Sequence, residues 1–549
     1  SSYFLPLIFF LFLLFSCSTT KKLTEDEVLY VGVKKMKIEA PQKVKLNSTQ
    51  NSAASGPLSV KPNNPLYSPY VRSPFPIGLW VYNWNIKKEK GFKWWLYRKL
   101  AKKPVLISDV QPELRLKMVD NAMKDFGFYG TTSRYEIIPH KRNPKKARIS
   151  YWVDLPQPFH YGSVQLWGWN PPMDSIVRSY MRFSELKPGR QYDVNVLNQE
   201  RQRMSDRLRN HGYYFFQPDY IEFLVDTTQG GKMADVRIGL KQGIPQNAFH
   251  PYKIGEVKVM LSGNETTGGQ DTIQADQVKI IYEPPLRLKP NVITRAVKTR
   301  PGQTYSAMRQ SRTQAGFVQL GVFKFANMTI TVPDTVQDRL LDMQINGDFA
   351  LPIETEVEVD MSSKSNNLLG PGLTLGITNR NMFRRAENFS VRLTGSYEWQ
   401  IGGNKKSTGN SGLINSYELG LNFNLSVPRL LVPKLMKTKR DRREQTHFQI
   451  GTDLLNRHNF FRMISFWGSA TYDFNSSTRN YHSVVPFKLN YTYLLRTSHA
   501  FDSVVNKNPA VAQSFKNQFI PSMSYTYTYD RAATYRNPNR LFWQTSVTQ

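Results

Sequence analysis

Two short stretches decide the reading of this chain: Lys187-Pro188-Gly189-Arg190-Gln191-Tyr192 and Arg300-Pro301-Gly302-Gln303-Thr304-Tyr305. Each places a Pro-Gly turn two residues ahead of a tyrosine and just ahead of a helical pattern. Working outward from the first, Ser163-Val164-Gln165-Leu166-Trp167 reads as a preceding strand, and Val194, Leu197, Met204 and Leu208 supply apolar residues at helical spacing. The helix closes at Asn210-His211-Gly212-Tyr213, with Gly212 as a left-handed cap. Two strands follow, Tyr220 to Asp226 and Met233 to Leu240, joined by a Gly-rich hairpin. The order is β-α-α-β-β.

Outward from the second stretch the same order returns. Gly255 to Met260 is the first strand, Leu320-Gly321-Val322-Phe323 closes the helix, and strands near 326–332 and 339–345 complete the unit. A diverged copy lies upstream: Val28–Glu39 is strand-like, a helix over 114–124 closes at Asp125-Phe126-Gly127-Phe128-Tyr129, and 147–153 is the last strand. Between its strand and its helix sits an aromatic insertion, Leu79-Trp80-Val81-Tyr82-Asn83-Trp84 and Gly91-Phe92-Lys93-Trp94-Trp95-Leu96. The repeats set the units at 28–154, 159–242 and 250–346, following the rule that internal periodicity is sought first.

From Phe4 to Phe15 the chain is nearly all apolar, yet shorter than the roughly 20 residues a membrane-spanning helix needs. It reads as the hydrophobic region of an export signal. Leu14-Phe15-Ser16-Cys17 follows and resembles the lipobox of bacterial lipoproteins, with Leu14 and Ser16 at the matching positions and Phe15 bulkier than usual. Cys17, the single cysteine, is the expected lipid-attachment residue, because a thiolate is the side chain nucleophilic enough to accept an acylglyceryl group. Residues 1–17 are therefore expected to be a signal peptide and lipobox, with a gene start upstream of residue 1, since no basic stretch precedes the apolar one. One cysteine also excludes a disulfide framework and a cysteine-based zinc site.

After Gly347 apolar and polar residues alternate with period two. Tyr417, Leu419, Leu421, Phe423 and Leu425 alternate with small or polar residues, and every second residue of Met523 to Tyr529 is large. Such strands suit a transmembrane β-barrel, in which one face meets lipid and the other the lumen. Alternation alone also fits a soluble sandwich. The sequence suggests six to eight strands over 347–549, and the ending Ser546-Val547-Thr548-Gln549 lacks an aromatic terminal strand, so a C-terminally truncated barrel is expected. The cluster Lys434, Lys437, Lys439, Arg440, Arg442 and Arg443 falls between two strands, and strand parity is expected to put it on the outer face.

Composition limits the remaining classes. Aromatics reach 13%, with 28 Tyr, 32 Phe and 10 Trp, and mean hydropathy is −0.47, too polar for a helical membrane protein. A formal charge of +31 suits solvated loops or anionic lipid surfaces; no nucleic-acid motif accompanies it. The eight histidines are scattered from 140 to 499, and His-Glu-x-x-His, Gly-x-Ser-x-Gly and phosphate-loop motifs are missing. No catalytic residue, metal site or cofactor is expected.

The three units resemble POTRA domains, and the lipobox, the units and the aromatic insertion together are similar to TamL-type lipoproteins of the BamA/TamA family. Residues 370–387 resemble the first barrel hairpin of that family, whose strand one borders a lateral seam; the glycines there suit a weakly paired edge or ordinary turns. The resemblance implies α+β POTRA domains followed by an antiparallel transmembrane β-barrel in the bacterial outer membrane, with the POTRA units in the periplasm. It implies partners too: unfolded outer-membrane protein precursors, outer-membrane lipids and lipopolysaccharide, and a periplasm-spanning TamB-like partner. The outer strand of the third unit, with Asn327, Met328, Thr329 and Ile330, is the implied client-binding edge, working by strand addition. The function implied is assembly or translocation. A two-partner-secretion exporter and a structural surface lipoprotein are the alternatives.

Overall fold

The computed structural model describes residues 19–549 apart from 43, 64–75, 87–88, 229, 264–268, 334–338, 365–367, 401–415, 432–443, 459, 478, 508–512, 514 and 532–539. Leu14, Ser16, Cys17 and the basic cluster of 434–443 thus lie outside the described residues. Contacts divide the chain into two units, Ser1–Met204 with Pro218–Gln242, and Ser205–Gln217 with Gly243–Gln549.

The first unit begins with β1 (Leu29–Glu39), α1 (Ser48–Ser55), α2 (Ile77–Tyr82), α3 (Phe92–Leu100), α4 (Ile107–Val110), α5 (Pro112–Lys124), β2 (Thr132–His140) and β3 (Asn143–Asp154). Pro112 starts α5 at a position where no helical N–H is needed, and Leu116, Val119 and Met123 form its buried stripe. They share the core with Ala147, Ile149, Tyr151 and Val153, every second residue of β3. The strands order β1-β3-β2, with β1 parallel and β2 antiparallel to β3. Next come β4 (His160–Leu166), α6 (Pro171–Met181), α7 (Val194–Arg209), β5 (Ile221–Asp226) and β6 (Met233–Leu240). Their sheet repeats the order, β4-β6-β5, with β4 parallel and β5 antiparallel to β6.

The second unit holds β7 (Lys253–Ser262), β8 (Asp271–Ala275), β9 (Val278–Tyr282), α8 (Pro290–Ala296), α9 (Ala307–Gln319), β10 (Phe323–Thr331) and β11 (Leu340–Phe349). The sheet runs β10-β11-β7-β9-β8. Its β7-β11-β10 part repeats the pattern, while the β8–β9 hairpin is an addition the sequence reading does not contain. The hairpin turns on Asp276 and Gln277, at φ 49° and 62°, so the usual glycine marker of such a turn is missing.

Nine antiparallel strands follow in sequential order: β12 (Ile353–Ser363), β13 (Leu368–Asn379), β14 (Asn388–Gln400), β15 (Ser416–Val427), β16 (Glu444–Arg457), β17 (Phe461–Asn475), β18 (Asn480–Thr497), β19 (Gln518–Arg531) and β20 (Leu541–Thr548), with α10 (His499–Lys507) between β18 and β19. The sequence-based number of six to eight is therefore too small. The strand it lacks at the start is β12, which pairs along its full length with β13. Consequently 370–387 is not the first hairpin: it is most of the second strand plus the β13–β14 turn.

One added strand reverses the parity. The β13–β14 turn inserts Ala386 into the core of the third α+β unit, and Asn381 Nδ2 donates to the Arg287 carbonyl at 2.7 Å. The β15–β16 connection leaves the sheet at that same end, two strands on. The strand ends that flank the cluster in sequence, Val427 and Glu444, thus lie on the side of the third α+β unit and not on the far side as expected.

Candidate functional site

The paired Pro-Gly stretches build the same clasp twice. Tyr192 N–H donates to Phe159 O at 2.8 Å, Tyr161 N–H to Arg190 O at 2.7 Å, and Gly189 N–H to Tyr161 O at 2.8 Å. In the next repeat Tyr305 N–H donates to Tyr252 O at 2.9 Å, and Ile254 N–H to Gln303 O and Gly302 N–H to Ile254 O at 2.8 Å. Gly189 and Gly302 sit at φ +78° and +77°, where a β-carbon is strained. The tyrosine that ends each clasp is buried, and filling such a site contributes about 1.5–3 kcal/mol. Burial also pushes the Tyr161, Tyr192 and Tyr305 hydroxyls up, and it raises the Asp193 carboxyl to about 6 despite two hydrogen bonds from Asn195.

The closure glycines do more than end helices. Gly212, at φ +106°, receives the Tyr252 N–H on its carbonyl at 2.9 Å, and a β-carbon there would lie 2.9 Å from Pro251 Cβ. Asn210 Oδ1, two residues earlier, accepts from Ser306 Oγ and Met308 N–H. Gly127 repeats the arrangement one repeat upstream, with its carbonyl accepting from Phe159 N–H at 2.9 Å. Each closure is therefore the seat for the next repeat's first strand, a role the motif alone does not reveal. Gly321, at φ +67°, faces open space.

Asn327, Met328, Thr329 and Ile330 lie on β10, which among the described residues is hydrogen-bonded on one side only, to β11. Met328 and Ile330 pack on the unit's core, so these two side chains support the edge instead of presenting themselves. Thr329 is exposed. What the strand offers outward is its second row of N–H and C=O groups.

β11 ends at Phe349 and β12 begins at Ile353, so the partner of edge strand β10 runs almost directly into the first strand of the nine-stranded sheet. β12 turns Ile353, Val357, Val359 and Met361 outward on one face. On the other it carries Glu354, Glu356, Glu358 and Asp360, with Glu354 paired to Arg380 and Glu356 to Arg392. The β13 glycines serve these acids: a β-carbon at Gly372 would meet Asp360 Oδ1 at 2.4 Å and one at Gly376 would meet Glu356 Oε2 at 3.2 Å. Glycine-rich β13 is thus paired on both sides, with β12 over residues 369–379 and with β14 except at Gly370 and Pro371, and among the described residues β12 is hydrogen-bonded only to β13.

The same two-faced pattern continues along the sheet. Leu419, Phe423, Ile450 and Phe466 are exposed apolar residues of one face. The other carries cross-strand polar ladders, such as Trp467 Nε1–H to Asp453 at 2.8 Å and Ser426–His447–Asp473 at 2.8 and 3.4 Å. That last trio has neighbouring backbone N–H groups committed to strand pairing, which leaves no oxyanion pocket beside it. Near the strand ends beside the α+β unit, Phe474, His482, Tyr525, Tyr527 and Trp543 form a band of touching rings. Among the described residues no helix is long and apolar enough to cross a membrane.

A recess of about 470 Å³ opens at this same end, lined by Lys289, Arg295, Arg385 and Arg429. Burial, together with Arg385 and Arg295, lowers the Arg429 guanidinium pKa. The recess is electrostatically suited to an anion.

Residues 161–243 match the POTRA family model, described as a surface antigen variable number repeat. The segment is a POTRA domain, in a chain of α+β units followed by a long antiparallel sheet. No curated protein matches the chain. Among solved structures it is similar to Haemophilus influenzae BamA POTRA3-5, at 9% identity and TM-score 0.29, covering 60% of this chain and 99% of that one. BamA from Haemophilus ducreyi lacking POTRA domains 1-3 matches at 10% identity and TM-score 0.32, over 71% of this chain and 70% of that one. CdiB from Acinetobacter baumannii matches at 11% identity and TM-score 0.25, over 80% and 77%. Scores and identities this low carry no weight for the arrangement of the whole chain or for its activity.

Proposed function

We propose that this POTRA-bearing chain is a BamA/TamA-type assembly factor of the bacterial outer membrane, non-enzymatic, anchored by acylation at Cys17. The observation that carries the reading is the edge strand β10, which among the described residues is hydrogen-bonded on one side only and is linked through β11 and a three-residue step to β12, the strand that begins the nine-stranded sheet. An unfolded outer-membrane precursor adds to β10 through backbone hydrogen bonds and is handed to β12 at the membrane. Strand addition needs no nucleotide or cofactor, because pairing backbone groups in lipid is itself favourable. The apolar outer face and the ring band of the nine-stranded sheet support the membrane assignment. A periplasm-spanning TamB-like partner and contact with lipopolysaccharide belong to the same proposal.

The test is photo-crosslinking from β10 in the full chain, in wild type and Thr329→Pro. Proline removes an N–H from the outward row or from the ladder and disrupts strand addition. Circular dichroism must first show an intact fold. The expected result is trapping of unfolded barrel precursors by wild type and loss of yield with proline. Crosslinks to a secreted passenger instead would replace this reading with the exporter, and crosslinks to no precursor would replace it with the structural lipoprotein.

A further inference from the structure

The aromatic insertion of the first repeat has no task in the reading above. Between residues 77 and 103 it holds four tryptophans and eight Lys or Arg against one Glu. α3 has no buried residue at all. Phe92 is 75% and Trp95 50% exposed, and their rings stack at 5.7 Å; Trp94 stacks on Tyr97 at the same distance. Lys93 sits in the first turn, and Arg98 and Lys99 in the last. A nine-residue helix with no fully buried residue, yet built of Trp, Phe and Lys, has the composition of an interfacial helix.

A second observation says what covers it. The chain just after Cys17 is fixed to this part of the unit. Thr20 Oγ1 accepts from Asn143 Nδ2 at 3.3 Å, Lys22 N–H donates to Asn83 Oδ1 at 3.0 Å, and Lys22 Nζ donates to Tyr82 O at 2.6 Å. The same ammonium lies 5.1 Å from the Tyr82 ring and 5.5 Å from the Tyr97 ring, so it bridges α2 and α3. Leu23 packs against Leu29 and Leu79 beneath it. Lys22 lies five positions after Cys17, and an extended chain covers at most about 18 Å in that distance. Acyl chains on Cys17 therefore hold α2 and α3 within about 18 Å of the bilayer surface.

We propose that α2 and α3 form a membrane-docking platform that lays Phe92, Trp94 and Trp95 into the headgroup region of the leaflet that takes the Cys17 acyl chains, with Lys93, Arg98 and Lys99 on lipid phosphates. The inference rests on the lipid-anchor reading for its geometry, whereas the aromatic and basic surface stands by itself. Anchor and platform act together: the acyl chains hold the chain at the membrane, and the aromatic, basic surface beside them fixes how the first repeat lies on it. The first repeat is then a fixed point on the membrane.

Cys17 is the only thiol, which permits a clean experiment on the full chain in vesicles of phosphatidylethanolamine and phosphatidylglycerol. Phe92→Cys is labelled with an environment-sensitive fluorophore, once with Cys17 acylated and once in Cys17→Ala. The expected result is blue-shifted emission quenched by nitroxide lipids in the acylated chain. Trp94→Ser with Trp95→Ser should cut that quenching at least about fivefold while the far-ultraviolet dichroism stays unchanged. Water-like emission with no lipid quenching in the acylated chain overturns the platform. Mass spectrometry of Cys17 separates the two claims: an unmodified thiol ends the anchor reading, and quenching in Cys17→Ala upholds the platform without it.

Discussion

The Tyr305 N–H donates to the Tyr252 carbonyl at 2.9 Å, and Gly302, three residues before Tyr305, holds the turn at φ +77° that makes this possible. No atom lies within 4 Å of the position a Gly302 β-carbon would take, so the demand on this residue is conformational and not steric. Gly302→Val should therefore cost about 1 kcal/mol or more, and Gly302→Ala less. Gly212→Ala should cost more than Gly302→Ala, because it adds a 2.9 Å contact with Pro251 to the same strain. Thermal unfolding of the full chain in detergent orders the three. Equal midpoints for Gly212→Ala and Gly302→Ala would show that the Gly212 seat yields freely.

Asp193 supplies a pH dependence with an unusual sign. Burial raises its carboxyl to about 6, above the usual unfolded value near 3.9. Between those values the folded state holds a proton that the unfolded state has released. This group's contribution is therefore most favourable below about pH 4 and is lost as pH rises through 6. Asp193→Asn keeps an oxygen to accept from Asn195 N–H without the charge. The expected outcome is a stability gain over wild type that grows from pH 4 to pH 6 and then levels off. Amide exchange at the start of α7 reads it locally, and a difference that does not vary with pH would contradict the assignment.

How far these features are legible before the structure depends on whether a residue type is forced. The clasps are legible because a positive φ selects glycine and a buried, hydrogen-bonded ring selects tyrosine, and both recur at fixed spacing. Closures at Gly127 and Gly212 are visible as caps, but their second role is not, since Phe159 and Pro251 lie 32 and 39 residues away. The β8–β9 hairpin escapes because Asp276-Gln277 takes left-handed values without glycine. β12 escapes for another reason: Glu354, Glu356, Glu358 and Asp360 are poor strand residues taken alone, and the arginines that neutralise two of them, Arg380 and Arg392, sit two strands' length downstream. Without β12, β13 becomes the first strand and the sheet's parity is inverted.

Gly370 separates the two accounts of the β13 glycines. A β-carbon at this position would lie 1.8 Å from the Tyr397 carbonyl oxygen, a backbone atom of β14 that cannot step aside. If β13 is an internal strand held against β14 here, Gly370→Val should push β13 and β14 apart and reduce folded, heat-modifiable sheet in detergent several-fold. Gly376→Ala, which meets only the Glu356 side chain and carbonyl at 3.2 Å and beyond, should be tolerated far better. A fully folded Gly370→Val would mean that the β13–β14 pairing is loose near Gly370.

Sidedness gives the last prediction. The β13–β14 turn is fixed to the third α+β unit by Ala386 in its core and by Lys289 N–H donating to Arg384 O at 2.9 Å. Counting two antiparallel strands onward, β15 ends at Val427 and β16 starts at Glu444 on that same side. Val427 and Glu444, the strand ends on that side, flank in sequence Lys434, Lys437, Lys439, Arg440, Arg442 and Arg443. Lys437→Cys in intact cells should therefore stay unlabelled by a membrane-impermeant maleimide and react once the outer membrane is permeabilised. A cysteine at Ser407, in the β14–β15 connection at the opposite end, should react in intact cells. The acylation proposed at Cys17 would keep the native thiol silent in both. Labelling of position 437 in intact cells would return the basic cluster to the outer face and require one strand fewer between the α+β units and residue 427.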